Sequence, residues 1–275
     1  MQTAPEIGIN DLRKLIQTIT ERFDYDFSSY SSASFKRRIQ RFIEIKRLGS
    51  VENLVNKIIS GEIKKNELLT EVSVNVTELF RDPSFWKYLR KVLLEQNFPQ
   101  NIKIWQVGSS SGEEIYSLMI LLNDLNLLNK AEVISTDYNT GIIEKAQSGL
   151  IPVKSMELNT SNFVKTGYKG ELTNYFMPEG DNFKLNKDLL SKIKFKEINL
   201  VKDSHNGSVD IILCRNILIY HNPQLQNDIL KKFHQSLNMS GLLILGSRET
   251  IEWSEIAPKY TMLGPEERIF RKNKV

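Results

Sequence analysis

Cysteine occurs once in the 275 residues, at Cys214. No disulfide can form within the chain, no cysteine cluster can hold a metal, and a lone thiol fits a reducing compartment. Histidine is nearly as scarce: His205, His221 and His234 lie too far apart in sequence to suggest a metal box. No apolar run reaches the roughly 18 residues of a membrane-spanning helix. The opening MQTAPEIGINDLRK lacks the basic-then-apolar order of a signal peptide. The expectation is a cytoplasmic protein without membrane insertion. Neither charge sign dominates: 37 basic against 33 acidic side chains leave a net charge of +4. That excludes a strongly basic nucleic-acid binder as a property of the whole molecule. Internal repeats and low-complexity tracts are also absent.

What is there suits a soluble globular protein: 40% hydrophobic and 25% charged residues. The patterning changes near residue 100. Before it, apolar residues recur at helical spacing: Leu12, Leu15, Ile16 and Ile19; then Phe35, Ile39, Phe42 and Ile43; then Leu54, Val55, Ile58 and Ile59. Residues 84–96 read as a further helix, with Asp82 as N-cap and Pro83 at the first position. After it, strands and helices alternate. IKIWQVG (102–108), AEVISTD (131–137), SVDIILC (208–214) and GLLILG (241–246) read as strands. EEIYSLMILLNDL (113–125), NTGIIEKAQSG (139–149) and NPQLQNDILKKFHQSLN (222–238) read as helices. This alternation predicts an α/β fold with a parallel sheet covered on both faces. Residues 150–195 break it and read as an insertion, with Gly, Asn and Lys in abundance. The end, YTMLGPEERIFRKN (260–273), reads as a hairpin about Gly264-Pro265. A parallel sheet closed by such a hairpin is typical of Rossmann-like methyltransferases, a fold-level analogy only. The predicted organisation is an all-α part over 1–74, a linker and helix over 75–99, and the α/β domain over 100–275.

The first strand runs into Gly108-Ser109-Ser110-Ser111-Gly112-Glu113-Glu114. Open α/β sheets bind ligands at the carboxyl ends of their strands, so this loop is the place for one. It is neither G-x-G-x-x-G nor a P-loop with its lysine. Glu113 and Glu114 would repel a pyrophosphate from the helix N-terminus that otherwise attracts one. S-adenosylmethionine carries a sulfonium and an ammonium but no phosphate, and tolerates such carboxylates. Asp137, ending the second strand, suits ribose hydroxyls. For the loop by itself, the plainer alternative is that the two glutamates only complement the helix dipole.

Four segments together say more. NVTELFRDPSFW (75–86), IWQVGSSSGEEIYSLMILL (104–122), STDYNTGIIEKAQSGLI (135–151) and DIILCRNILIYHNPQLQNDILKKFHQSLNMSGLLILGSRE (210–249) resemble, in this order, the CheR family of chemotaxis receptor glutamate O-methyltransferases. The most specific pieces are CRNxxIYH and NVTxxFRD. The resemblance covers essentially the whole chain. It implies that Asn75, Thr77 and Arg81 close over S-adenosylmethionine from the linker. Glu114 and Asp137 would hold its adenosine and amino-acid parts, and Asn199 and Leu200 would flank the adenine. Cys214 and Arg215 would line the site, with Arg215 and Tyr220 facing the incoming carboxylate. Two departures stand out. Ile115 replaces the proline usual after the two glutamates, and Gly246-Ser247-Arg248-Glu249 stands for the usual Gly-His-Ser-Glu.

The resemblance implies a protein-glutamate methyltransferase acting on an acidic helical region of a chemoreceptor-like protein. YSSASFKRRIQRFIEIKRLG (30–49) fits such a partner, because Arg37, Arg38 and Arg41 lie at helical spacing away from the apolar stripe. RNA competes for the same patch, but no aromatics interleave with the basic residues to stack bases, so no nucleic acid is expected. The resemblance also implies a small antiparallel β insertion at about residues 152–193, and its short turn 177–182 suggests an enzyme independent of a receptor C-terminal tether. A monomer is the default, for want of a long exposed heptad. Two other readings remain open at this stage: a catalytically silent S-adenosylmethionine-binding sensor or scaffold, and a methyltransferase for RNA or a small molecule.

Overall fold

A computed structural model describes residues 7–72, 77–96, 98–203 and 207–274. The chain forms two compact units. One comprises Met1–Asn75 with Tyr220–Leu225, and the other comprises Val76–Ile219 with Gln226–Val275. The segment Tyr220–Leu225 thus clusters with the helical unit although it lies far along the chain.

The helical unit contains α1 (Ile9–Phe23), α2 (Ser32–Ile45), α3 (Val51–Ile59) and α4 (Lys65–Val72). Its helices form because apolar residues recur on one face of each. Leu15 and Ile19 of α1, Phe35, Ile39, Phe42 and Ile43 of α2, and Leu54, Val55 and Ile58 of α3 are all buried. Each such side chain contributes roughly 1.5–3 kcal/mol relative to exposure. The stripes are narrower than the spacing suggests: Leu12 and Ile16 are half-buried, and Ile59, at the end of α3, is 49% exposed. Ser50 caps α3, its hydroxyl accepting from the Asn53 N–H at 3.1 Å. A 4.5 Å ring stack of Phe27 on Phe35 ties the α1–α2 connection to α2. Tyr30 pairs with His221 in an isolated antiparallel bridge, which fastens the segment Tyr220–Leu225 within this unit.

The second unit opens with α5 (Pro83–Glu95). Its sheet elements follow as β1 (Ile102–Val107), α6 (Glu113–Asp124), β2 (Ala131–Asp137) and α7 (Thr140–Ser148). Then come β3 (Leu150–Pro152), α8 (Met156–Lys165), β4 (Phe176–Glu179), β5 (Asn182–Leu185), α9 (Lys187–Leu190) and β6 (Ile193–Glu197). The chain closes with β7 (Val209–Cys214), α10 (Pro223–Ser236), β8 (Leu237–Leu245), β9 (Tyr260–Gly264) and β10 (Ile269–Lys272). The main sheet has seven strands in the order β6-β2-β1-β7-β8-β10-β9. β6, β2, β1, β7 and β8 run parallel, and β10 and β9 return antiparallel. Strand order reverses between β1 and β7, which makes their carboxyl ends the switch point where open α/β sheets bind ligands.

The insertion is a three-stranded antiparallel sheet, β3-β5-β4, accompanied by α8. Glu179 pairs with Asn182, so the β4–β5 hairpin turns on two residues, Gly180 at φ +59° and Asp181. One sequence expectation is corrected and another refined. β8 begins at Leu237, directly after α10, rather than at 241. Asp82 and Pro83 do take the N-cap and first positions of α5, but Asp82 is left-handed at φ 59° and its side chain makes no capping hydrogen bond; its carboxylate goes to Arg215 instead.

Candidate functional site

The ends of four strands of the second unit, β1, β2, β6 and β7, carry most of the candidate site residues. After β1 the chain turns on Gly108 (φ +77°) and Gly112 (φ +103°), with Ser110 also left-handed at φ 46°. A β-carbon on Gly108 would lie 2.4 Å from Cδ1 of Ile217, and one on Gly112 would lie 2.3 Å from the Tyr116 ring. Glycine is therefore required at both positions by conformation and by space. The turn is held from β2: the N–H groups of Gly108 and Ser109 donate to the Thr136 carbonyl at 2.7 and 2.9 Å. A buried chain of polar side chains runs beneath it. The Ser109 and Ser135 hydroxyls meet at 2.7 Å, and Ser135 donates to Gln106 Oε1 at 2.5 Å.

Asp137, at the carboxyl end of β2, receives the Ser110 N–H on Oδ2 at 3.1 Å and the Asn139 N–H on Oδ1 at 3.0 Å. Each oxygen keeps a lone pair for further donors. Burial raises the Asp137 pKa, and the N–H groups of Asn139, Ser110 and Tyr138 pull it back. The Ser110 hydroxyl is buried without a hydrogen-bond partner. A buried polar atom left in this way points to a ligand.

β7 ends in Cys214 and Arg215. The Cys214 thiol is fully buried, and burial holds its pKa well above the ordinary thiol value, so it is a packed side chain and not a nucleophile. The Arg215 side chain is 1% exposed. Its Nη2 donates to Asp82 Oδ2 at 2.6 Å, its Nη1 donates to Glu114 Oε2 at 3.0 Å, and its guanidinium lies 4.0 Å over the Phe85 ring. Arg215 thus ties the carboxyl end of β7 to α6 and to the start of α5. Burial raises the Glu114 pKa, and Arg215 is the main opposing influence. Gln106 also donates to Glu114, at 3.2 Å.

The segment that precedes α5 carries Thr77 and Arg81; Asn75 lies outside the described residues. Its backbone is strained on both sides of Arg81, with Phe80 at φ 52° and Asp82 at φ 59°. Side chains not singled out in the sequence hold that strain. Ser117 of α6 accepts the Phe80 N–H at 2.8 Å, and Asn159 of α8 accepts the Leu79 N–H at 3.0 Å. Asn162 donates to the Leu79 carbonyl at 3.1 Å. The two asparagines lie on one face of a helix in the insertion, a spacing that carried no signal by itself.

Asn199 and Leu200 follow β6. The Asn199 side chain turns onto its own loop, its Oδ1 accepting the Val201 N–H at 3.1 Å. Lys232 of α10 donates to the carbonyls of Leu200, Val201 and Asp203 at 3.2, 2.7 and 2.9 Å, which fixes the course of this loop. Glu114, Asp137, Asn199, Leu200, Cys214 and Arg215 therefore all lie at or just beyond carboxyl ends of parallel strands in one unit. Tyr220 does not belong to that unit: it clusters with the helical one, where its ring lies parallel to Tyr30 at 6.3 Å between centroids. In the helical unit Arg37 and Arg41 are exposed, whereas Arg38 is half-buried with its Nε covered. The described residues contain no cluster of His, Cys, Asp and Glu fit for a metal ion and no helix long and apolar enough to cross a membrane.

Comparison with known proteins gives this geometry its context. Residues 75–265 match the SAM-binding domain of CheR methyltransferases, and residues 10–73 match the all-alpha domain of the same family. The chain is 33% identical over 265 residues to Cher3 of Pseudomonas putida, covering 96% of this chain and 97% of that one. It is 26% identical to the chemotaxis protein methyltransferase of Borreliella burgdorferi, covering 88% of each. It is 24% identical to that of Salmonella typhimurium, covering 96% of this chain and 92% of the other. S-adenosylmethionine is the cofactor of the matched domain, and the residues present fit it. Ser110 and Asp137 offer unspent hydrogen-bonding capacity, and the acidic start of α6 disfavours a pyrophosphate. The chain belongs to the CheR family of S-adenosylmethionine-dependent methyltransferases.

Proposed function

We propose that the protein forms γ-methyl esters on glutamate side chains in an acidic helical region of a chemoreceptor-like protein, working in the cytoplasm as a monomer. The observation that carries this reading is the match of both CheR domains, in order, along one chain, with relatives named chemotaxis protein methyltransferase. The exposed Arg37 and Arg41 of α2 add a face whose charge suits an acidic helix.

S-adenosylmethionine supplies, when bound, a methyl group on a positively charged sulfur that departs as a neutral thioether. A glutamate side chain has an unperturbed pKa of about 4.3, so it is already ionised near neutrality and no protein group has to take its proton. The chain's work is binding and alignment, with reacting atoms held roughly 3–3.5 Å apart. Asp137 accepts from the ribose hydroxyls, Asn199 and Leu200 flank the adenine, Glu114 serves the amino-acid part, and Asn75, Thr77 and Arg81 close over the cofactor from the linker. Cys214 lines the floor by its backbone.

Arg215 has a different part from the one its position in the motif suggests. Two of its donors are spent on Asp82 and Glu114, so it acts chiefly by positioning these carboxylates, and its Nε is buried without a hydrogen-bond partner. Tyr220 is assigned to the substrate carboxylate. The hold there has to be moderate, since a tightly paired carboxylate is a poorer nucleophile. Tyr220→Phe is expected to lower kcat while cofactor affinity stays unchanged, and an unaltered kcat removes Tyr220 from the mechanism.

The test of the reading is transfer of labelled methyl from S-adenosylmethionine to the cytoplasmic fragment of a receptor from the same cell, followed by mild alkali. Release of the label as methanol is expected for a carboxyl ester. Alkali-stable label favours another acceptor. Cofactor binding without transfer to any receptor fragment favours a silent sensor.

A further inference from the structure

Glu249 belongs to the late loop whose motif departs from the family pattern, yet its side chain is 4% exposed and its carboxylate gathers N–H groups from two strand ends. Oε2 accepts from Gly246, just after β8, at 2.7 Å and from Asn216, just after Arg215, at 2.9 Å. Oε1 accepts from Ile217 at 2.8 Å and from Ile219 at 3.2 Å. Gly246 permits this closeness, because a β-carbon there would lie 2.8 Å from the Asn216 nitrogen. Asn216 is left-handed at φ 59°, and a backbone so placed needs partners that fix it.

We infer that Glu249 is a positioning residue for the cofactor site, holding the loop Asn216–Ile219 so that Arg215 and Ile217 keep their places beside the glycine turn. The route is short. Arg215 immediately precedes the held segment and carries Asp82 and Glu114. Ile217, whose own N–H is bound by Glu249, sits where a side chain on Gly108 would otherwise be. One carboxylate thereby locks the ends of β1, β7 and β8 into a single arrangement. A neutral side chain of the same shape cannot substitute: an amide at this position presents an NH2 group to N–H donors that need an acceptor, leaving buried donors unpaired. The inference rests on the family's use of S-adenosylmethionine and not on which acceptor receives the methyl.

The test is calorimetric titration of the full chain with S-adenosylhomocysteine, for the parent, Glu249→Gln and Phe233→Leu, at a temperature where circular dichroism shows all three folded. Phe233 is buried in α10 and packs edge-on to Trp105 at 5.4 Å, so its truncation lowers stability without touching the loop. Glu249→Gln is expected to raise the dissociation constant about tenfold, the equivalent of one charge-assisted hydrogen bond lost, while Phe233→Leu leaves it unchanged. If Glu249→Gln does not fold, Glu249→Asp, which keeps the charge but falls short of the far donors, is measured instead and is expected to weaken binding in the same direction. Parent-like affinity in the glutamate variant, or equal weakening in Phe233→Leu, overturns the inference, and neither result depends on a methyl acceptor.

Discussion

Asp137 shows how much of the site a single residue carries. Both of its oxygens are engaged by backbone donors, and both retain lone pairs. Asp137→Asn forces an NH2 group against one of those N–H donors, and S-adenosylhomocysteine affinity is expected to fall about tenfold. Because burial raises its pKa, acid is expected to weaken cofactor binding at a higher pH than an ordinary carboxylate would. In calorimetry across pH, a curve for the wild type that parallels Asp137→Asn contradicts this. Asp137 was legible in the sequence, since it ends a strand in a strand–helix alternation. The partners of Arg215 were not. They are separated from it by 133 and 101 positions, and no local spacing announces a guanidinium clamped between Asp82 and Glu114. For the same reason only the position of Asp82 was legible: aspartate before proline marks the N-cap it occupies, but a tertiary ion pair takes the carboxylate that would otherwise cap the helix.

The elements themselves were largely readable because their apolar periodicity is strong: β1, β2, β7, α6 and α7 fall within a residue of the expected bounds. β8 was read short at its start. Its first residues, Leu237–Ser240, lack the continuous apolar run of the buried part, and helical spacing carried over into them. Apart from the family resemblance, the insertion was legible only as an interruption, because its three strands are short and its helix α8 contributes polar anchors, Asn159 and Asn162, rather than an apolar stripe. At the glycine turn the sequence pattern and the geometry agree closely enough for a sharp prediction. Tyr116 is pinned by its hydrogen bond to the Ala146 carbonyl, so it cannot yield to a β-carbon on Gly112. Gly112→Ala is expected to cost roughly 2–4 kcal/mol from left-handed strain and overpacking. Urea unfolding checks this, and a change below about 1 kcal/mol contradicts it. On α2, Arg37→Glu with Arg41→Glu is expected to raise KM for a receptor fragment and leave S-adenosylhomocysteine binding intact. The wild type should move the same way as salt rises, because exposed charges are screened.

For the whole molecule, the sequence break near residue 100 located the change of pattern but not the allegiance of Tyr220–Leu225, which clusters with residues more than a hundred positions earlier. That segment supplies a pH handle on stability. His221 is buried beside Tyr30, and burial lowers its pKa from 6.5 to about 4. The unfolded chain then binds a proton that the folded chain refuses between these two values. Stability is therefore fully present above the unfolded pKa, declines as pH falls through that window, and levels off below about 4. The decline attributable to His221 is roughly 3 kcal/mol. His221→Gln is expected to flatten this part of the urea-unfolding profile, and an unchanged profile assigns the acid sensitivity elsewhere.

Arrival of the methyl group on a glutamate carboxylate is tested by tandem mass spectrometry of a receptor cytoplasmic fragment after incubation with the enzyme and S-adenosylmethionine, which locates the added methyl on individual side chains. Methyl groups are expected on glutamates of an acidic helical stretch, and are lost when those glutamates are replaced by alanine. Methyl groups on lysine, arginine or a backbone terminus, undiminished by that replacement, would contradict this expectation.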